Sequence, residues 1–250
     1  MDDRAISEIL GYMMIFGVVL ILISIVYVQV YTTTIDTAEK FRIISMRESF
    51  RKIYDVFALS LYGGANLQQI QLELQGGSFY IANNTTVEIV VESENTIDTY
   101  VFNLRSLNYK IGNFRISFEN GALLEEYYDY CKFVQPPSIY IKPVQSLEAS
   151  GAMEKVLVLV LNEIESNLSV AGGGSIVMVF NSSLKSSRIY PSTGKIVLTV
   201  TSDYPELWMN YFSELGGSVS LVGNNQINAQ LTFNKLVLAV YKTNVTVKKF

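Results

Sequence analysis

The chain has no histidine and a single cysteine, Cys131, among 250 residues. Without imidazole there is no Ser–His or Cys–His catalysis and no His-based metal centre. Without a second thiol there is no intrachain disulfide, which excludes the small secreted scaffolds held together by cross-links. Cys131, between Tyr130 and Lys132, reads as a small packed residue and not as a reactive thiol. Charge is also scarce. Charged residues make up 17% of the chain against 49% apolar, the net charge is −4, and no basic cluster stands out. Nucleic acid is therefore not an expected partner.

The longest absence is local. Between residues 9 and 35 no side chain is charged. At ~1.5 Å rise per residue, about 20 residues cross a ~30 Å hydrocarbon core, and residues 9–28 meet that length. Ile and Val are weak helix formers in water. In lipid the backbone must satisfy its own hydrogen bonds, which a single segment does only as a helix. The run reads as a membrane helix, with membrane lipid as its surroundings.

Three roles compete for it: a secretory signal that is removed, a plain anchor, and an assembly helix that stays with the mature protein. A secretory signal has a basic start, an apolar run of about 7–15 residues and a small-residue cleavage site. Here Met1-Asp2-Asp3-Arg4 carries two acids, the run is longer, and "YVQVYTTTIDTAEK" offers no A-x-A-like cut. Glu8 stands at the threshold of the apolar run, where an unpaired carboxylate is costly. The terminal amine or Arg4 of a neighbouring copy would relieve it. Ser7 and Gly11 are four apart, a small-xxx-small face that lets helices approach closely. A snorkelling interfacial Glu and incidental small residues account for the same features, so anchor and assembly helix both stand on the residues alone.

The stretch "DDRAISEILGYMMIFGVVLILISIVYV" resembles the amino-terminal signature of archaeal type IV pilin-like proteins. The matching positions are Asp3, Arg4, Ala5, Ile6, Ser7, Glu8, Ile9, Leu10 and Gly11. The resemblance implies a leader of residues 1–5 and a prepilin-type peptidase acting around Arg4, Ala5 and Ile6. It also implies an assembly helix whose Ser7, Glu8 and Gly11 meet other pilin-like subunits. One departure is plain. A cut after Ala5 makes Glu8 the third residue, where many pilins carry Glu at the fifth. "RESFRKIYDVFALSLYGGANLQQIQLEL" and "TSDYPELWMNYFSELGG" are similar to an uncharacterised archaeal pilin-like family with one membrane helix and a β-rich outer domain.

Topology signals conflict. Lys40, Arg42, Arg47, Arg51 and Lys52 follow the run while only Arg4 precedes it, which by the positive-inside rule puts the domain in the cytoplasm. Long domains translocate largely regardless of flanking charge. Asn83, Asn84, Asn167, Asn181 and Asn244 each begin an Asn-x-Ser/Thr sequon. With the leader resemblance, these favour a single-pass protein of the cell membrane with its carboxyl-terminal domain outside.

Beyond the run the pattern stays helical over residues 35–62, with Thr32–Thr34 as the candidate bend. Ile43, Met46, Phe50, Ile53, Tyr54, Phe57, Ala58 and Leu61 form one apolar stripe, and Gly63-Gly64 stops it. After Gly64 the period becomes two. "QIQLEL", "TTVEIVVE", "TYVFNL" and "FRISFE" read as hairpin strands, while "KVLVLVL", "SIVMVF" and "KIVLTV" read as central ones. "DYPELWMNYFSEL" (203–215) is the one clear later helix, with Asp203 as candidate cap, Trp208 on its core face and Gly216-Gly217 at its end. The expectation is an α+β protein: leader 1–5, membrane helix 6–34, amphipathic stalk 35–62, and a mainly antiparallel β-sandwich-like domain over 65–250.

Candidates for chemistry are few. "AGGGS" (171–175) precedes a strand and lacks a closing Lys-Ser/Thr, so it reads as a loop and not as a phosphate cradle. "EEYYDY" (125–130) clusters Glu125, Glu126 and Asp129, which suits calcium by chemistry but lacks the spacing and glycine of a recognised loop. A solvated acidic turn is the expectation. No carboxylate pair at a set separation marks a glycosidase. The reading is a non-enzymatic, pilin-like surface protein, a structural or minor subunit of a filament or an adhesion module, with no cofactor or metal. The contending reading is a single-pass anchored extracellular receptor or ligand-binding domain that never polymerises.

Overall fold

The computed structural model describes residues 3–94, 96–128, 130–145 and 153–249. Helix α1 (Asp3–Tyr62) leads into β1 (Leu67–Glu73), β2 (Ser78–Ala82), β3 (Thr86–Ser93), β4 (Thr96–Asn103), β5 (Ser106–Ile111) and β6 (Phe114–Glu119). Then come β7 (Ala122–Tyr127), β8 (Tyr130–Gln135), β9 (Ile139–Gln145), β10 (Met153–Glu165), β11 (Ser169–Ala171), β12 (Ser175–Tyr190) and β13 (Gly194–Thr201). Helix α2 (Pro205–Glu214) and strands β14 (Ser218–Leu221), β15 (Gln226–Phe233) and β16 (Lys235–Lys249) complete the chain. The α+β class, the long first helix, the mainly antiparallel strands and the single later helix are as the sequence predicts.

Contacts divide the chain into two compact units, which part between Met46 and Arg47. In the first, every residue from 10 to 35 is exposed except half-buried Gly17. The helix is unbroken through Thr32–Thr34. Thr33 donates to the Gln29 carbonyl and Thr34 to that of Val30, each at 2.8 Å, and Ser24 donates to that of Leu20 at the same distance. These hydroxyls thus find partners on their own helix, as a segment in lipid requires.

In the second unit, among the described residues, the strands form three sheets. Their orders are β1-β12-β16-β10-β9, β11-β2-β5-β6-β7-β8, and β14-β15-β13-β3-β4. β10 and β16 run parallel, the exception among otherwise antiparallel pairs. The carboxyl-terminal part of α1 meets two of these sheets. The Phe57 ring stacks on Phe118 of β6 at 4.3 Å and sits edge-on to Phe180 of β12 at 4.9 Å, while Phe50 stacks on Phe79 of β2. Phe50, Ile53, Phe57 and Leu61, members of the predicted stripe, are all buried.

The long strands of the first sheet serve two cores. Early in β16 the even-numbered Leu236, Leu238 and Val240 are buried, together with Ile196 and Leu198 of β13 and Trp208 and Phe212 of α2. Farther along, Thr243 and Val245 are the buried ones. Successive side chains on a strand point to opposite faces, so the buried face changes sides along β16. The partner β12 carries an irregularity between Leu184 and Ser186, near the same point.

Turn chemistry explains two of the junctions. Asn120 and Gly121 join β6 to β7 with φ of 47° and 76°, the left-handed pair that a two-residue hairpin turn demands. A Cβ on Gly121 would also strike the Ser138 side chain. At the end of α2, Gly216 has φ 80°, its N–H donates to the Ser213 carbonyl, and that of Gly217 to the Phe212 carbonyl. This is the Schellman arrangement. At the other end of α2 the expected cap is corrected. Tyr204 occupies the N-cap without a side-chain capping bond, and the Asp203 carboxylate instead receives hydrogen bonds from Asn84 and Arg115.

Because Phe57 touches two sheets at once, Phe57→Ala is expected to destabilise the protein by about 3–5 kcal/mol. Exposed Leu59→Ala should stay within roughly 0.5 kcal/mol. Denaturant midpoints of the detergent-solubilised chain check both, and equal effects would contradict the packing described.

Candidate functional site

The first candidate site is the apolar stretch of α1. Among the described residues one helix is long and apolar enough to cross a membrane, and none of its most apolar window is buried. Arg4, Ala5, Ile6, Ser7 and Glu8 lie on the first turns of α1, and their side chains fall outside the described residues. Gly11 is exposed, and a Cβ built on it, or on Gly17, meets nothing. Helical glycine costs about 1 kcal/mol relative to alanine. Among the described residues no contact accounts for either glycine.

The sequon asparagines divide by environment. Asn83, Asn167, Asn181 and Asn244 are exposed, while Asn84 is half-buried. The Asn84 amide is engaged on both sides, donating to Asp203 and accepting from Ser106 at 2.9 Å. Asn181 and Asn244 are cross-strand partners on β12 and β16. Asn167 sits in the connection between β10 and β11.

The acidic stretch is not a solvated turn. Glu125 and Glu126 lie on β7, and Glu125 is only 6% exposed. Its Oε1 receives the Arg47 Nε–H at 2.8 Å, while the Arg47 guanidinium also lies over the Phe114 ring. Glu126 Oε2 accepts from Arg115 Nε at 2.7 Å and from the Tyr204 hydroxyl at 3.1 Å. An arginine answers each carboxylate, so neither is left to gather a cation. Asp129, the third acid, lies outside the described residues. Among the described residues no group of three or more His, Cys, Asp or Glu could hold a metal.

Arg115 is the hub of a second candidate site that the sequence did not announce. It bonds Glu126 and Asp203 and stacks its guanidinium over Tyr204 at 5.0 Å. Cys131 and Tyr128 line the same small hollow. Burial, then Glu126 and Glu206, push the Cys131 thiol up, which keeps it protonated, in keeping with a packed residue.

Deeper in the domain, Glu119 is fully buried beside the Asn120-Gly121 turn. Its Oε1 accepts the Trp208 indole N–H at 2.8 Å, fastening α2 to β6. Its Oε2 makes no hydrogen bond of ordinary geometry. Burial drives the pKa from 4.5 to about 7, despite Ser202, Trp208 and Thr85, which pull it down. Trp208 is therefore a core residue, as expected, with its N–H spent on an acid.

One amino-terminal apolar helix followed by a strand-rich domain is an architecture compatible with a membrane-anchored surface protein. The chain belongs to DUF7289, a family of unknown function, which it matches over residues 4–247. It is also similar to an uncharacterized protein of Archaeoglobus fulgidus, 27% identical over 221 residues, covering 72% of this chain and 71% of that one. No solved structure matches.

Glu119 makes stability depend on pH in a defined direction. A carboxyl whose folded pKa exceeds its unfolded one binds more protons in the folded state. Its contribution is complete below about 4.5, falls as pH rises, and is lost above about 7. Glu119→Gln keeps an acceptor for Trp208 and cannot ionise. Near pH 8 it is expected to exceed the parent in stability by up to about 3 kcal/mol, and near pH 4 to equal it. Denaturation midpoints across pH give the answer; a difference that does not vary with pH contradicts the buried acid.

Proposed function

We propose that the protein is a type IV pilin-like surface protein, anchored by α1 with its strand-rich domain outside the cell. It acts as a structural or minor subunit of a filament, or as an adhesion module, and not through catalysis. The observation that carries this reading is the state of residues 10–35: uncharged, exposed, and bearing two glycines that no described neighbour requires. Such a surface is covered by lipid or by other helices, and small residues favour the latter. A prepilin-type peptidase acting near Ala5–Ile6 would leave a new terminal amine. That amine, on a neighbouring subunit, is the natural partner for Glu8 at the edge of the hydrocarbon. The family match and the archaeal relative are consistent with this reading without specifying it.

Gly11→Leu and Glu8→Ala test assembly. Each is expected to lower the amount of filament sheared from cells roughly tenfold while the membrane-bound amount holds, because helix packing of this kind is worth about 1–2 kcal/mol. Unchanged filament yield contradicts assembly and leaves a plain anchor. Topology has its own check. A membrane-impermeant amine reagent applied to intact cells should label exposed Lys110 and Lys248. Labelling that appears only after lysis places the domain inside and overturns the reading.

A further inference from the structure

Tyr128 is the one aromatic residue among the described positive-φ positions, with φ 54°. A bulky side chain is rarely held in the left-handed region, and such strain concentrates where a side chain must be displayed. Here the residue is 63% exposed, and the Tyr127 ring meets the Tyr128 ring edge-to-face at 4.8 Å. The Tyr128 N–H donates to the Asn113 carbonyl at 3.2 Å, which ties the β7–β8 turn to the β5–β6 turn. The ring therefore stands on a braced turn.

Beside it lie two adjoining hollows of about 400 and 290 Å³, both walled by Tyr128, Arg115 and Glu126. Their size falls at the lower end of the ~300–1,000 Å³ range of small-molecule sites. Lys110 and Asn113 line the larger, Asp203 the smaller. Hydrogen-bonding groups of both kinds thus line hollows that share one exposed aromatic residue. Among the described lining residues formal charge cancels, since Lys110 and Arg115 stand against Glu126 and Asp203, and Arg115 is already paired with both acids. Lys110 is the cation that stands outside this pairing.

We propose that this hollow binds an uncharged sugar, with Tyr128 stacking on the apolar C–H face of the ring and Asn113, Arg115 and Glu126 addressing its hydroxyls. A pyranose suits the site because one face is apolar and its rim is all hydroxyl, the same division that the hollow presents. The biological role of such a site rests on the domain facing outside, as proposed above. Its chemistry does not, so the test is made on purified protein and its failure leaves topology untouched.

The full chain, held in a detergent without a sugar headgroup, is titrated with glucose, galactose, mannose and N-acetylglucosamine, and with glucuronate and inorganic phosphate. Binding is followed by saturation transfer to the ligand protons and by calorimetry. At least one uncharged sugar is expected to bind, and Tyr128→Gly should weaken it at least tenfold. Glycine relieves the left-handed strain, so the same variant should show a denaturation midpoint equal to or above the parent's. Lost binding with a retained midpoint separates a stacking ring from a structural one. No response from any of the four sugars, a clear preference for glucuronate or phosphate, or undiminished binding in Tyr128→Gly overturns the proposal.

Discussion

Nineteen large apolar or aromatic side chains of α1 between Leu10 and Ile35 are exposed, with no charge among them. Fully burying one such side chain is worth about 1.5–3 kcal/mol, so leaving them all in water forfeits tens of kcal/mol. That exceeds the ~5–15 kcal/mol by which a folded domain is normally stable. On the proposed anchor reading, this helix surface is covered by something outside the chain. Lipid and neighbouring helices are the covers that suit an unbroken helix whose hydroxyls are already bonded to its own carbonyls.

The second unit is built around strands longer than a single core requires. β12 and β16 each pass from one buried layer to another, and the buried face of β16 changes sides as they do. The same first sheet thereby receives the Phe57 ring of α1 at one end and the core containing α2 at the other. Between the layers lie polar groups that are costly to bury. Asn162 accepts from Thr243 at 2.8 Å, Thr243 lies at 2.8 Å from Ser182, and the backbone N–H of Asn162 donates to Asn120 at 3.1 Å. A buried polar network of this kind favours one arrangement of layers, because any slip leaves its members unpaired. Glu119 is its neighbour at full burial, holding Trp208 with one oxygen.

Much of this was legible in the sequence where a period was long and clean. The apolar run, the stripe through Phe50, Ile53 and Phe57, the central strands and α2 with its two terminal glycines all follow from spacing. What spacing does not carry is pairing between distant segments. The parallel match of β10 with β16, and the division into three sheets where one sandwich was expected, depend on contacts far apart in sequence. The acidic stretch departs from the expected solvated turn for the same reason: Arg47 and Arg115, which neutralise it, lie 78 and 11 residues from their partners. Asp203 likewise has the composition of a cap but is claimed by Arg115. One local signal does mark a turn. Asn120-Gly121 directly after the alternating run of residues 114–119 is a hairpin turn by composition.

Everything proposed for function depends on the helix remaining part of the mature protein. The direct test is the intact amino-terminus of the protein taken from its native membrane, read by mass spectrometry. A chain that begins near Ile6, with the apolar run complete, is the predicted result. A chain that begins after Thr34 would show a discarded signal, and an uncut Met1 a plain anchor; either would contradict the assembly account.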